Sequence, residues 1–352
     1  MTAIFLAIAT SFIITFLVIP VIINFSKKKK KMMDVPGRRK IHKKTTPSLG
    51  GIGIFMGLIV SLIVWLPFEA FQQFKFILAG LLILVVIGFR DDIVPLKPLY
   101  KLFGQMIAAA MIVYLTGIRL TSFYGLFGID ELNPLVSQFV SIFTIIVITN
   151  SFNLIDGLDG LAGTIAVVAL TTFGVWFYLV GDQWTSLLAL SMAGAVIAFL
   201  TFNWEPSNIF MGDTGALSIG FLFAVLAIKF IEVNHNLPEA ADFKFNASVT
   251  TGICIIIIPL FDTLRIFILR LSKKQSPFTP DKNHMHHALM RMGMSHSQTA
   301  LSLGLLNLFY IGIALAGRGF PDSVLLPAVL IFSVLLSLTL DFLIVRKLNR
   351  SK

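Results

Sequence analysis

Between two long apolar runs the chain reads Asn150-Ser-Phe-Asn153-Leu-Ile-Asp156-Gly157-Leu-Asp159-Gly160-Leu-Ala-Gly163. Insertion into a membrane does not call for two carboxamides, two carboxylates and three glycines. Asn150, Asn153, Asp156 and Asp159 recur every third residue, so one helical turn after another would gather them on one side. Gly157, Gly160 and Gly163 share that spacing. They would leave a strip of bare backbone open to a ligand, or a face for helix packing. Packing accounts for the glycines and leaves the four polar groups unexplained. Two further acidic motifs stand at the ends of apolar runs. Asp91 and Asp92 follow Arg90, and Asp213 lies between Gly212 and Gly215. Paired acids at a membrane boundary suit metal or proton chemistry, or are simply solvated there. Asp213 either caps the helix that follows or holds Mg²⁺, which takes a few carboxylates together with phosphate oxygens.

Basic groups accompany these acids. Lys40, Lys43 and Lys44 lie in a turn-rich loop that ends in Thr45-Thr-Pro-Ser-Leu-Gly-Gly51. They can hold phosphate as point charges or serve only as topology charges. His284, His286 and His287 sit in the loop after Arg265 and Arg270, beside Lys282 and Arg291. A zinc reading fails, because structural zinc wants four spaced ligands and no cysteine partner is at hand. The three histidines fit better as donors to phosphate. His42, His235 and His296 read as surface residues.

The elements that position these residues are membrane helices. Of 352 residues, 56% are hydrophobic and 13% charged, and mean hydropathy is +0.88. Such a chain is not a soluble globule. Apolar stretches long enough to cross a bilayer recur near 3–25, 49–66, 74–89, 99–116, 135–150, 161–180, 184–202, 215–231, 247–272, 299–317 and 322–345. The expected fold is an all-α integral membrane protein, one polytopic domain over 1–352 with about eleven transmembrane helices. The first run is too long for a signal-peptide core and should remain as a span. Pro259 should kink the ninth span, since it removes a backbone hydrogen bond. Cys254, the sole cysteine, excludes an internal disulfide and a cysteine-based metal site.

The net charge of +10 is a membrane signature. With eleven crossings, all Lys and Arg except Lys75, Arg119, Lys229, Lys244 and Arg318 fall on one side. That side is cytoplasmic by the positive-inside rule, which puts the N-terminus outside and the C-terminus inside. A nucleic-acid partner is excluded on this distribution. Hydropathy alone set the spans, yet every motif named above lands at the cytoplasmic surface. A proton- or cation-coupled transporter would keep such acids near the midplane between inverted repeats, and no internal repeat is visible. A non-enzymatic scaffold would leave the polar motifs without a purpose. Carboxylates, cations and histidines at the boundary suit a reaction between an anionic soluble substrate and an anionic lipid. Joining two phosphates needs cations to suppress their repulsion.

Taken together, Asp91-Asp92, Asn150-x-x-Asn153-x-x-Asp156-Gly-x-Asp159-Gly, Phe210-Met-Gly-Asp213-x-Gly and His284-x-His286-His287 resemble the motifs of the polyprenyl-phosphate N-acetylhexosamine-1-phosphate transferases. The likeness runs from about Asp34 to His296. It implies transfer of a sugar 1-phosphate from a UDP-sugar to undecaprenyl phosphate, with release of UMP and with Mg²⁺, or Mn²⁺ in its place, as cofactor. Met285 interrupts the histidine triad of the branch acting on UDP-N-acetylmuramoyl-pentapeptide. The chain is therefore more similar to the UDP-N-acetylglucosamine branch, which starts O-antigen, teichoic acid or capsule assembly in the bacterial inner membrane. By that resemblance Asp213 is the metal ligand and Asp91 or Asp92 handles the lipid phosphate. Asp156 lines the metal and pyrophosphate site, Asp159 and Asn153 face the nucleotide, and His286 and His287 contact the pyrophosphate. Lys43, Lys44, Asn150, Asn203, Arg265 and His284 complete the substrate contacts. Nothing in the sequence speaks to oligomeric state.

The charge distribution makes a first prediction. Reporter fusions at Lys282 and at Lys352 should both score as cytoplasmic; an external signal at Lys352 means that the count of crossings is wrong by one.

Overall fold

A computed structural model describes residues 2–28, 33–34, 46–129, 131–275 and 284–350. Its helices in chain order are α1 (Thr2–Lys28), α2 (Gly50–Trp65), α3 (Phe68–Ile93), α4 (Pro98–Leu115), α5 (Pro134–Ile155), α6 (Leu161–Leu179), α7 (Gln183–Asn203), α8 (Gly212–Asn236), α9 (Ser248–Ile255), α10 (Ile257–Ser272), α11 (Met285–Arg291), α12 (His296–Ala316) and α13 (Asp322–Arg350). Among the described residues nine helices are long and apolar enough to cross a membrane, ten if the bent pair α9–α10 is one span. The second expected span is α2, whose 16 residues reach only about 24 Å, short of the ~30 Å hydrocarbon core. The count of eleven is met only if this short helix is included.

α8 is the central element. Every residue from Thr214 to Ile228 is buried, as expected for a helix that is apolar on all sides. It packs against α2, α3, α5, α6 and α9, while α1 lies on α2 and α7. Two glycines allow the closest approaches. A Cβ on Gly88 would lie 2.5 Å from the Thr214 backbone, and one on Gly51 would lie 2.5 Å from Gly215 Cα. Without side chains there, α3 and α2 meet the first turn of α8 backbone to backbone. The chain before α2 is tied to the same place, because Gly50 N donates to Phe210 O and Gly51 N to Met211 O, both at 2.9 Å, and Phe210 N donates to Pro47 O at 2.8 Å. A two-residue ladder pairs Met33–Asp34 with Thr46–Pro47.

The start of α8 receives its cap from another helix. Met211, at the N-cap position, offers no side-chain bond. Asp92 of α3 supplies it: Oδ1 accepts from Asp213 N at 2.8 Å, and Oδ2 from Thr214 N at 3.0 Å and Thr214 Oγ1 at 2.6 Å. Free N–H groups at a helix start must find acceptors. α9 shows the same arrangement, with Asp322 accepting from Val249 N, Thr250 N and Thr250 Oγ1.

Pro259 breaks the ninth expected span more sharply than a kink. α9 and α10 meet at Ile256 with an 89° bend. Proline lacks the N–H that would bond the carbonyl four residues earlier and its ring clashes with it; that carbonyl belongs to Ile255. Asn307 of α12 donates to Ile255 O at 2.9 Å and satisfies it. Beyond the break α10 is two-faced, with Asp262, Arg265 and Arg270 buried and Leu264, Ile268 and Leu271 exposed.

The remote cap makes a prediction about stability. Asp92→Ala should lower stability by about 2 kcal/mol, the upper end of cap deletions, because three donors lose their acceptor. Thermal unfolding in detergent measures it; an unchanged midpoint would show that the α8 terminus needs no such partner.

Candidate active site

Asp91 ends α3 beside Asp92, and the two adjacent acids do different things. Asp91 Oδ1 accepts from Leu96 N at 2.5 Å, and its Oδ2 lies 2.7 Å from Lys101 Nζ. Asp92 holds the α8 cap, so of the pair from which the sequence reading left the lipid-phosphate contact open, Asp91 is the one that faces Lys101. Lys101, in the first turns of α4, also pairs with Asp213. One ammonium thus joins carboxylates from α3 and α8. Asp213 is the second residue of α8 and not its cap; its other oxygen accepts from Asn153 Nδ2 at 3.0 Å.

The polar motif that opened the sequence reading does not form one helical face. α5 ends at Ile155, with Asp156 as its C-cap, so Asp156 and Asp159 belong to the following turn. The four residues diverge accordingly. Asn150 Nδ2 donates to Gln105 Oε1 at 2.6 Å and to Ile146 O at 2.8 Å. Asn153 faces Asp213. Asp156 accepts a backbone bond from Gly212, and burial together with the Asp213 and Asp92 charges pushes its carboxyl up to about 8. Asp159 accepts from Ser207 Oγ at 2.8 Å and lies 3.3 Å from His296 Nδ1. Burial would raise its pKa, but the bonds from His296 and Ser207 hold it below the usual carboxylate range. The glycines form no bare strip either. Gly163 packs on Leu200, Gly160 has φ +75° under the Trp204 ring, and Gly157 alone is exposed, near His286.

Other expected contacts have structural work. Asn203 is buried, accepts from Gly160 N at 2.9 Å and donates to Ile209 O at 2.8 Å, tying the turn after α5 to the α7–α8 loop. Arg265 is buried and donates to Ser337 Oγ and Asp341 Oδ1 of α13, each at 2.6 Å. His296, read as a surface residue, instead pairs with Asp159. Its neighbour Ser297 donates through N and Oγ to Glu205 Oε2, at 2.8 and 2.9 Å, and the backbone bond first among these interactions lowers the Glu205 pKa. Lys40, His42, Lys43, Lys44 and Lys282 lie outside the described residues, though the Pro47–Gly51 segment brings the end of that basic loop to Phe210 and Met211.

The histidine loop reaches the site through α11. The His284 and His286 rings stack at 5.6 Å and His287 adjoins at 4.3 Å. His286 is buried, and its Nε2 lies 3.4 Å from where a Cβ on Gly157 would stand. Burial and the neighbouring His287 push its pKa down to about 3, so the ring is neutral. Its Nδ1 is buried with no hydrogen-bond partner among the described residues.

Asp91, Asn153, Asp156, Asp213, His286 and Lys101 therefore gather where the C-terminal ends of α3 and α5 meet the N-terminal ends of α4 and α8. Lys101 was missed because it read as one more topology charge. Its signal was weak but present: a lysine one turn into an apolar helix, three residues past Pro98. Among the described residues no three carboxylate or imidazole groups converge into a ready-made cage for a metal. Among the described residues the arrangement is an acidic pocket with one internal cation, Lys101.

The comparisons agree with this picture. Residues 74–231, which hold both paired acids, the Asn–Asp turn and Asp213, match the glycosyl transferase family 4 model. A Bacillus subtilis protein named probable undecaprenyl-phosphate N-acetylglucosaminyl 1-phosphate transferase is 32% identical over 86% of this chain and 83% of its own length. A Mycobacterium tuberculosis decaprenyl-phosphate N-acetylglucosaminephosphotransferase is 30% identical over 82% of this chain and 75% of its own. The undecaprenyl-phosphate alpha-N-acetylglucosaminyl 1-phosphate transferase of Yersinia pestis is 28% identical over 76% and 72%. With its helical membrane fold and its acidic site at one end of the bundle, the chain belongs to the polyprenyl-phosphate N-acetylhexosamine-1-phosphate transferases of glycosyl transferase family 4.

Proposed function

We propose that the protein transfers N-acetylglucosamine 1-phosphate from UDP-N-acetylglucosamine to undecaprenyl phosphate, giving undecaprenyl-diphosphate-N-acetylglucosamine and UMP. The reaction would take place at the cytoplasmic face of a bacterial inner membrane, with the N-terminus outside, and would initiate an envelope polysaccharide such as O-antigen, teichoic acid or capsule. The observation that carries this reading is the Lys101 ammonium held between Asp91 and Asp213, with Asn153 on the remaining Asp213 oxygen.

That bridge is also the test of fit for Mg²⁺. The site already stabilises a cation between two carboxylates, and Mg²⁺ characteristically takes one or two carboxylates and completes its shell with substrate phosphates and water. Asp213 and Asp91 would hold it, and Asp156 adjoins. Bound there, Mg²⁺ would neutralise phosphate charge. The protein's own groups then have distinct tasks. Lys101, released from one carboxylate, pairs with a phosphate oxygen. Asn153 keeps Asp213 oriented, and the histidine stack faces the pyrophosphate from above Gly157. In the transfer a lipid phosphate oxygen forms a bond to the β-phosphorus of the nucleotide sugar, and the bond from that phosphorus to the oxygen of UMP breaks. No protein base is required, since a phosphomonoester is already ionised, its second pKa being ~6.

The lipid has apolar walls to follow. α5 lines a cavity of about 340 Å³ with α8, α9, α10 and the 120–126 loop, through Phe143, Val147, Ile148, Ile253, Ile256 and Leu260. This supports a prenyl chain lying along the break in α9–α10. The named relatives differ in prenyl length, undecaprenyl or decaprenyl, and an open apolar wall would tolerate either. A UDP-N-acetylmuramoyl-pentapeptide donor is the other reading; Met285 stands in the sequence between His284 and His286, where that branch carries a third histidine, and this favours UDP-N-acetylglucosamine.

Two outcomes test this reading. Purified protein with undecaprenyl phosphate and Mg²⁺ should release UMP from UDP-N-acetylglucosamine and not from UDP-N-acetylmuramoyl-pentapeptide; the reverse preference would overturn the substrate assignment. Asp213→Asn should fold normally and lose about a hundred- to a thousand-fold in kcat, the usual loss when a major electrostatic contribution to a transition state is removed. Near-normal turnover would exclude Asp213 from holding the metal.

A further inference from the structure

Asp262 stands one turn beyond the α9–α10 break and is 3% exposed. Neither carboxylate oxygen is idle. Oδ1 accepts from Met285 N at 2.8 Å, and Oδ2 lies 2.8 Å from His284 Nδ1. One side chain of α10 thus seizes both the first backbone N–H of α11 and the ring before it. From there the contacts run inward, through the parallel His284 and His286 rings to His286 Nε2 beside Gly157. Gly157 directly follows Asp156. A buried carboxylate must be matched by donors, and here the donors belong to the loop that supplies the imidazoles. Asp262 also stands where it does because of Pro259: α10 turns through 89° at Ile256, and the residue three positions after proline faces α11.

We propose that Asp262 is a positioning residue that fixes the Nδ1 proton of His284, so that the ring can carry a second proton on Nε2 and donate a charge-assisted hydrogen bond to a phosphate oxygen of the nucleotide sugar. A carboxylate on one ring nitrogen sets the tautomer and supports the imidazolium when an anion meets the other nitrogen. Two anionic partners on opposite sides of one ring hold it as a double donor. Asp262 itself touches no substrate. The inference rests on the transferase reading above, because it needs an anionic phosphate to meet Nε2.

The two tasks of Asp262 can be separated. Asp262→Asn has the same size, and its oxygen can still accept from Met285 N–H, so α11 stays docked. Its amide nitrogen then faces His284 Nδ1 as a donor, which leaves the ring neutral. Hydrogen bonds to charged groups are worth roughly twice neutral ones, so kcat/KM for UDP-N-acetylglucosamine should fall about tenfold or more, at saturating undecaprenyl phosphate. His284→Gln should cause a similar loss. In the His284→Gln background, adding Asp262→Asn should cost nothing further, because residues that act as one unit are not additive. Asp262→Glu, which keeps both acceptors and the charge, should recover part of the activity. If Asp262 serves only to dock α11, Asp262→Asn keeps wild-type kcat/KM, because its oxygen still holds Met285 N; that result, or losses that multiply in the double variant, overturns the proposal. A thermal unfolding midpoint for each variant shows that the compared proteins are folded. Wild-type protein that releases no UMP would count against the transferase reading, whereas active wild type with multiplicative losses would count against Asp262 alone.

Discussion

The first turn of α8 has N–H groups without partners inside the helix, and the backbones of α2 and α3 pack against it. Asp92 answers this need from α3, and the rest of the site follows from that contact. For its carboxylate to reach Asp213 N and Thr214 N, α3 must lie against the α8 backbone, which Gly88 permits. Once α3 is there, Asp91 faces the other way, toward Lys101 and Asp213. The paired acids are thus a division of labour: one joins two helices, and the other enters the pocket because its neighbour is fixed. The α9 and α12 starts are handled alike, by Asp322 and by Glu205. Three helices of this bundle begin on carboxylates supplied by other parts of the chain.

The acids near the membrane boundary therefore divide into two groups. Asp92, Asp159, Glu205, Asp262 and Asp322 are matched by backbone, hydroxyl or imidazole groups, and they hold loops and helix ends together. Asp91 and Asp213 share the Lys101 ammonium, and Asp156 lies within reach of the Asp213 and Asp92 charges. Among the described residues the second group carries more negative than positive charge, and the excess shows in Asp156, whose carboxyl is pushed up by burial and by the charges beside it. An incomplete acidic pocket cannot receive phosphates unless cations come with them. That is the physical link between the shape of this site and the metal-assisted phosphoryl transfer proposed for it.

The break at Ile256 is the second organising feature. Pro259 costs the helix a hydrogen bond and a smooth path, and Asn307 restores a partner to the Ile255 carbonyl. What results is an α10 with a polar inner face. Arg265 meets α13 from it, and Asp262 meets α11. The turn that forms an apolar wall beside α5 also delivers the histidine loop to the acidic pocket, so a single proline affects both the apolar and the polar side of the site.

Hydropathy, a one-dimensional property, sufficed for the membrane class, the number of apolar stretches and the gathering of polar motifs at one end of the bundle, because crossing a bilayer leaves little choice of structure. The residue types at Asp91, Asp156, Asp213 and His286 likewise singled out residues that the fold brings to one end of the bundle. What each group does was decided by contacts between residues far apart in the chain. Asp91 and Asp92 are adjacent and chemically identical, yet one caps a helix 121 positions away. Asn203 and Arg265 looked like substrate contacts, and long-range packing turned them into braces. Spacing by threes put Asn150 to Asp159 on one helical face, but the helix ends at Ile155 and sends the four side chains to different partners. Lys101 looked like one topology charge among many until α4 brought it between α3 and α8. Local sequence sets what a side chain can do; which donor, acceptor or charge stands within 3 Å of it is a property of the packed helices alone.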